Sequence, residues 1–254
     1  MIETPKISII TVVYNGEAYL QQTINSIKKQ TYKNVEYIII DGGSTDKTID
    51  IINDNEKTIS KWVSEPDNGL YDAMNKGIKM ASGELIGIVN SDDWYENNTV
   101  EQVVNAYIKN KEKKIFHGDK NCIKLNGDIK LKKAKNNPFL IKYYGMVLNH
   151  PTMFVHKDIY KHYQYNTQLR SVSDYQFTLT NYLDNKNKFH YIPQVLSNFR
   201  LGGISGNLKF KKILSENYIA RKNAGMNFAS RSFALVFRIL VEVYFKLSRK
   251  KNDY

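Results

Sequence analysis

The N-terminal part of the chain alternates between short β-branched runs and segments of helical periodicity. Ile7 to Val13 is apolar, is bounded by Pro5 and by Asn15-Gly16, and reads as a buried strand. Ala18, Leu20, Ile24 and Ile27 then recur at helical spacing, which predicts a helix over residues 17–30. The pattern repeats with a strand from Val35 to Ile40 ending on Asp41, and a helix over 45–54 that Ser44 can cap. A short strand at Trp62-Val63-Ser64, a helix from Leu70 to Met80, a strand from Leu85 to Val89 and a helix over roughly 98–109 complete it. Apolar strands joined by helices bury both faces of a mostly parallel sheet, so the fold class is α/β.

Such sheets bind ligands at the carboxyl ends of their strands. Asn15, Asp41, Asp67 and Asp92 each follow a strand-like run. The second half reads differently. Residues 114–132 look like short strands with turns at His117-Gly118-Asp119 and Asn126-Gly127-Asp128. Helices are expected over 157–163 and 173–184, a strand pair or bend over 189–200, and two amphipathic helices over about 208–224 and 230–248.

Asn90-Ser91-Asp92-Asp93-Trp94 places two adjacent carboxylates after a buried strand. They repel, and must be solvated, hydrogen-bonded or metal-bound. Hard oxygen ligands with open positions suit magnesium or manganese bridging to phosphates. The same residues fit a polar turn in which Asp93 caps the next helix. Asp41-Gly42-Gly43-Ser44-Thr45-Asp46 has an acid able to accept from a base N–H or a ribose hydroxyl, and glycines that admit close backbone approach. It fits a tight strand-to-helix turn equally well, and it lacks the spacing of the common phosphate loops.

Taken in order, four stretches resemble the family 2 glycosyltransferases of bacteria: Ile7 to Asn15, Tyr37 to Asp46, Ser64 to Gly77, and Ala81 to Asp93. The resemblance implies the GT-A fold and an inverting transfer of a hexose or N-acetylhexosamine from a UDP-sugar. It implies a nucleotide pocket lined by Thr11, Val13, Tyr14 and Asn15, with Asp41 on the uracil or ribose and Asp67 near the ribose and diphosphate. Asn90-Ser91-Asp92 occupies the family's Asp-x-Asp motif. With Asn at its first position, the metal (Mn2+ or Mg2+) is expected on Asp92, assisted by Asp93, with Ser91 at the donor. Leu169 to Gln176 looks like the family's acidic motif before a helix, which makes Asp174 the candidate base; an acid there also suits the helix dipole. His150 of His150-Pro151-Thr152 is a candidate acceptor contact, as is Trp94. In Phe199 to Ser205, Arg200 is expected near the diphosphate, with Gly202-Gly203 in a loop that closes over the donor.

The implied organisation is a catalytic domain over 1–206, divided into a nucleotide-sugar half (1–95) and an acceptor half (96–206), followed by a basic amphipathic extension over 207–254. That extension carries eleven Lys and Arg against Glu216, Glu242 and Asp253, or +8 of the chain's +12. Such a helix can lie on an anionic bilayer or pack on the domain with its basic face solvated. The expected partners are a UDP-sugar and a saccharide acceptor on a polyprenyl diphosphate, in O-antigen or capsule synthesis. The enzyme is expected in the cytoplasm, peripheral at the inner face of the membrane. Cys122 is the single cysteine, which fits a reducing compartment, and no signal peptide is read at Met1 to Lys6. A nucleotidyltransferase would carry a glycine-rich basic loop where Tyr14-Asn15-Gly16-Glu17 stands. A nucleic-acid module is disfavoured by the modest +4 of the first 206 residues.

Overall fold

The computed structural model describes residues 4–202 and 209–252, the last four of these by backbone alone. Strands β1 (Ile7–Val13), β2 (Val35–Asp41) and β4 (Leu85–Asn90) are buried almost throughout. β1 lies between the other two, pairing parallel with both. β3 (Lys61–Ser64) adds in parallel to β2. One face is filled by Ile10, Ile38, Ile40, Ile86 and Ile88 under α3 (Leu70–Met80). The other is filled by Ile9, Ile39 and Val89 under α1 (Leu20–Lys28) and α4 (Thr99–Lys109). The expected alternation is present, with α2 (Thr48–Asp54) as the remaining helix of this half.

Beyond β4 the sheet becomes mixed. The order is β3-β2-β1-β4-β8-β6-β9-β5, with β7 on β6. β5 is Trp94–Tyr95, β6 Ile115–Ile123, β7 Ile129–Lys132 and β8 Phe154–His156. β9 runs unbroken from Phe189 to Arg200, parallel to β6, where a strand pair or bend was expected. β6 likewise passes through the expected turn at His117-Gly118-Asp119. The register shifts there instead, and His117 and Asp119 are buried. A side chain on Gly118 would come within 2.8 Å of Gln194 O and Leu196, so glycine lets the bulged strands close. The turn at Asn126-Gly127-Asp128 forms as expected, with Gly127 at φ +85°.

α5 (Lys157–Tyr160) is shorter than expected, and α6 spans Ser173–Asp184. α7 (Phe210–Asn223) packs on α6, burying Glu216, Ala220 and Arg221. Glu216 accepts from Ser171 N–H and Oγ, while Arg221 donates to the carbonyls of Lys142 and Tyr143 in the helical turn Leu140–Tyr144. α8 (Phe228–Asn252) lays Phe233 and Phe237 against Phe139 of the same region. The final helices therefore pack on the domain along one side.

Candidate active site

The loops after β1, β2 and β3 are tied together at one sheet edge. Asn15, at φ 49°, accepts from Thr45 N–H through Oδ1, and its own N–H donates to Ser44 Oγ. Asp41 Oδ2 accepts from Gly43 N–H, Ser44 N–H and Ser64 Oγ, and its Oδ1 from Ser44 Oγ. Asp67 accepts from Gly69 N–H and lies over Gly42, where an added Cβ would stand 2.5 Å from Asp67 Oδ2. Tyr14, largely exposed, approaches the same Gly42. Tyr14, Asn15 and Asp67 thus border one recess.

The turn after β4 separates its two acids. Asp93 is wholly buried. Its Oδ1 accepts from Arg200 N–H at 2.9 Å, and Asn90 Nδ2 approaches its Oδ2. Burial, then the neighbouring Asp92 charge, pushes the Asp93 carboxyl up to about 8. Asp92 is half-buried, and burial raises its pKa too. Among the described residues, no side chain donates a hydrogen bond to the Asp92 carboxylate. Arg200 clasps the turn: Nε approaches Asp92 O at 3.4 Å, Nη2 donates to Gln22 at 2.9 Å, and the guanidinium stands over Tyr19 and Trp94.

No group of three or more metal-ligating side chains converges among the described residues. One free carboxylate fits a cation whose remaining ligands are substrate phosphates and water, the usual habit of magnesium-type sites. Asp92 meets that requirement. Asp93, expected to assist, is buried beside it with Oδ1 engaged by Arg200 N–H and Oδ2 3.4 Å from Asn90 Nδ2.

Next to this turn a cleft of about 360 Å³ opens between the sheet, α3, α6 and α8. Asn90 borders it at the end of β4, and Asp174 at the start of α6. Tyr71 OH donates to Asp174 Oδ1 at 3.2 Å, and Tyr175 N–H donates to the same oxygen at 2.8 Å. Burial and the Asp174 charge hold the Tyr71 hydroxyl protonated. His150 lines the cleft with Nε2 2.9 Å from Tyr165 OH, and burial lowers its pKa.

Residues 8–156 match the family described as Glycosyl transferase family 2. An uncharacterized glycosyltransferase of Haemophilus influenzae is 34% identical over 216 residues, covering 83% of this chain and 85% of that protein. The chain belongs to glycosyl transferase family 2. Solved structures agree in fold. S. aureus TarS 1-349 with UDP-GlcNAc aligns at TM-score 0.71 and 20% identity, over 92% of this chain and 71% of that one. The mannosyltransferase PcManGT of Pyrobaculum calidifontis, with GDP-Man and Mn2+, aligns at TM-score 0.67 and 14% identity, over 94% and 70%. The fold of this family 2 glycosyltransferase is GT-A, as the resemblance implied.

Several residues of this glycosyltransferase sit elsewhere than expected. Thr11 is buried mid-strand and accepts from Tyr37 OH, and Val13 points into the core, so neither side chain lines a pocket. Asp41 is fully buried, and both its oxygens accept hydrogen bonds from the turn it builds. Trp94 packs beside Arg200 and does not line the cleft. Ser91 lies close to Gly16 and lends its carbonyl to Thr23 Oγ1. Gly203, Ile204 and Ser205 lie outside the described residues. Tyr71, Lys120, Lys132, Tyr144 and Arg238, all lining the cleft, were missed. Tyr71 stood inside a matching stretch, but the other four carry no motif.

Proposed function

We propose that this chain is an inverting transferase moving a hexose or N-acetylhexosamine from a UDP-sugar to a saccharide acceptor, carried on polyprenyl diphosphate, in bacterial surface-polysaccharide synthesis of the O-antigen or capsule kind. One observation carries the reading: Asn90 of the donor-side turn and Asp174 at the start of α6 border the same cleft. The UDP-GlcNAc complex of the TarS neighbour supports a UDP donor, and the GDP-Man complex of the mannosyltransferase supports the rival GDP donor.

In this reading residues 1–95 bind donor and 96–206 bind acceptor. Asp67 and the loop around Tyr14 and Asn15 hold the nucleoside. Asp92 holds Mn2+ or Mg2+, which when bound neutralises charge on the departing diphosphate. Arg200 fixes the Asp92 backbone. Asp174, held by Tyr71 and the Tyr175 amide, takes the proton of the acceptor hydroxyl as that oxygen attacks the anomeric carbon and the sugar–phosphate bond breaks. His150 borders the acceptor.

The extension over 207–254 touches the membrane through the outer face of α8. Val236, Leu240, Val243, Tyr244 and Leu247 are exposed there, with Lys246 among them. An apolar strip beside basic residues suits the headgroup region of an anionic bilayer. No helix among the described residues is long and apolar enough to cross a membrane. The enzyme then works at the cytoplasmic face.

A donor panel tests the reading. UDP-glucose, UDP-galactose, UDP-GlcNAc, UDP-GalNAc and GDP-mannose are each incubated with Mn2+ and a synthetic lipid-diphosphate sugar, and release of nucleoside diphosphate is followed. Turnover with one UDP-sugar is expected. Turnover with none, or with GDP-mannose alone, overturns it.

A further inference from the structure

Two lysines face each other where electrostatics disfavours it. Lys120 on β6 and Lys132 on β7 are direct partners in an antiparallel register. Like charges directly opposite one another on paired strands destabilise the pair. Both residues line the cleft that holds Asp174. Lys120 is 7% exposed, and its Nζ stands 3.5 Å from the centre of the Phe199 ring. Among the described residues, no carboxylate lies within ion-pair distance of either lysine. Burial, then the Lys132 charge, pulls the Lys120 pKa down to about 8.

A third cation comes from the other end of the chain. Arg238 of α8 lines the cleft with its guanidinium 4.3 Å from the centre of the Tyr144 ring, and its ion-pair partner is Glu242 at 3.7 Å. Among the described residues, Asp174 is the sole carboxylate on the cleft wall. Burying the Lys120 ammonium is costly, and the charges of Asp93 and Asp174 offset that only in part, so a bound phosphate would supply the missing counter-charge.

We infer that Lys120, Lys132 and Arg238 form a subsite for a phosphate or diphosphate on the acceptor, within one sugar unit of the hydroxyl that attacks. The acceptor is therefore a glycosyl phosphate with a short saccharide, and not the free end of a long neutral glycan. This rests on the reading of Asp174 as the base. The cations stand on β6, β7 and α8, away from the loops after β1, β2 and β3 that border the nucleoside recess, and share the cleft with Asp174, which assigns them to the acceptor; Asn90 marks the donor side of the same cleft, so the test separates the two. The cleft, at about 360 Å³, matches a sugar with its phosphate group.

The test uses the full chain with UDP and Mg2+ held at saturation, so that the donor site is filled. Inorganic pyrophosphate is then titrated by calorimetry into the wild type, Lys120→Gln and Lys132→Gln. Each substitution is expected to weaken pyrophosphate by roughly tenfold, the scale of one charge-assisted contact, and to leave UDP affinity alone. Lys132 is exposed on a short edge strand, so its variant reports even if Lys120→Gln misfolds. A free hexose 1-phosphate, a short prenyl-diphospho-sugar and a neutral methyl glycoside are compared as acceptors. A lower KM for both phosphorylated acceptors, lost in Lys132→Gln, supports the subsite; a preference for the prenyl form alone identifies a lipid source. Equal use of the neutral glycoside overturns the inference. So do variants that weaken UDP and spare pyrophosphate, which would place the lysines on the donor. Wild-type UDP-sugar hydrolysis is measured alongside: its absence sinks the transferase reading, while its presence with inert lysines sinks only the subsite.

Discussion

Gly42 offers a way to disturb the donor recess while sparing the fold. A methyl group there would stand 2.5 Å from Asp67 Oδ2, 3.2 Å from Asp67 Cγ and 3.5 Å from Tyr14 Cδ2. Ordinary contact begins near 3.4 Å, so the carboxylate must retreat by about 0.9 Å. Gly42 is not in the left-handed region, and its backbone accepts alanine. The obstructing atom ends a rotatable, half-buried side chain, so the loss of stability is on the order of 1 kcal/mol. The donor loses more. A ribose hydroxyl donating to a carboxylate contributes about 1.5–3 kcal/mol, so UDP should bind roughly 10- to 100-fold more weakly. Calorimetric titration of UDP into the wild type, Gly42→Ala and Asp67→Asn measures this, with thermal melts to certify folding. The two variants should lose affinity together. A folded Gly42→Ala that binds UDP like the wild type refutes the placement of Asp67 on the donor.

Two buried acids should respond to pH with opposite sign. Asp93 rises to about 8 through burial and the Asp92 charge, so the folded chain keeps a proton that the unfolded chain releases near its ordinary value of 3.8; stability is full below that value and falls as pH climbs towards about 8. Asp93→Asn should remove that decline and gain a few kcal/mol at most at pH 8 relative to the wild type, read from urea midpoints at pH 5 and pH 8; parallel profiles would refute it. For Glu36, burial pushes upward, but bonds from Lys61, Ser8 and Ser82 win and lower it to about 2, so its contribution is present above the ordinary 4.5 and lost as pH falls towards 2. Glu36→Gln should be less stable than the wild type at pH 7, with the gap closing in acid; a constant gap contradicts the assignment. Leu240→Glu combined with Leu247→Glu, on the exposed face of α8, should abolish co-sedimentation with anionic liposomes without lowering the melting temperature. Unchanged sedimentation removes the membrane role.

The parallel half of the sheet was legible because its strands are apolar on both faces and its helices carry one apolar stripe each. The bulge in β6 was not, since a glycine between two polar residues has the composition of a turn; only packing reveals that His117 and Asp119 are buried and that Gly118 admits β9. Asp92 is expected as the principal metal ligand and Asp93 as its helper, but no local pattern shows that Asp93 is buried on Arg200 N–H while the Asp92 carboxylate takes no side-chain hydrogen bond, a division decided by β9 from a hundred residues away. Thr11 and Val13 fell within a matching stretch, but strand alternation turns both inward. The cleft wall drew on α3, β6, β7, α6 and α8. No local pattern announces that Lys120, Lys132 and Arg238 meet, because the sheet order that joins them is a property of the whole chain.

The central claim is that Asp174 takes the acceptor's proton opposite a donor held at Asp92. Single-turnover transfer by Asp174→Asn, with UDP-sugar affinity measured on the same sample, tests it most directly. The account predicts a fall in the rate of transfer of roughly 10²- to 10⁴-fold with the donor bound as tightly as in the wild type. A variant that transfers sugar at the wild-type rate would contradict it.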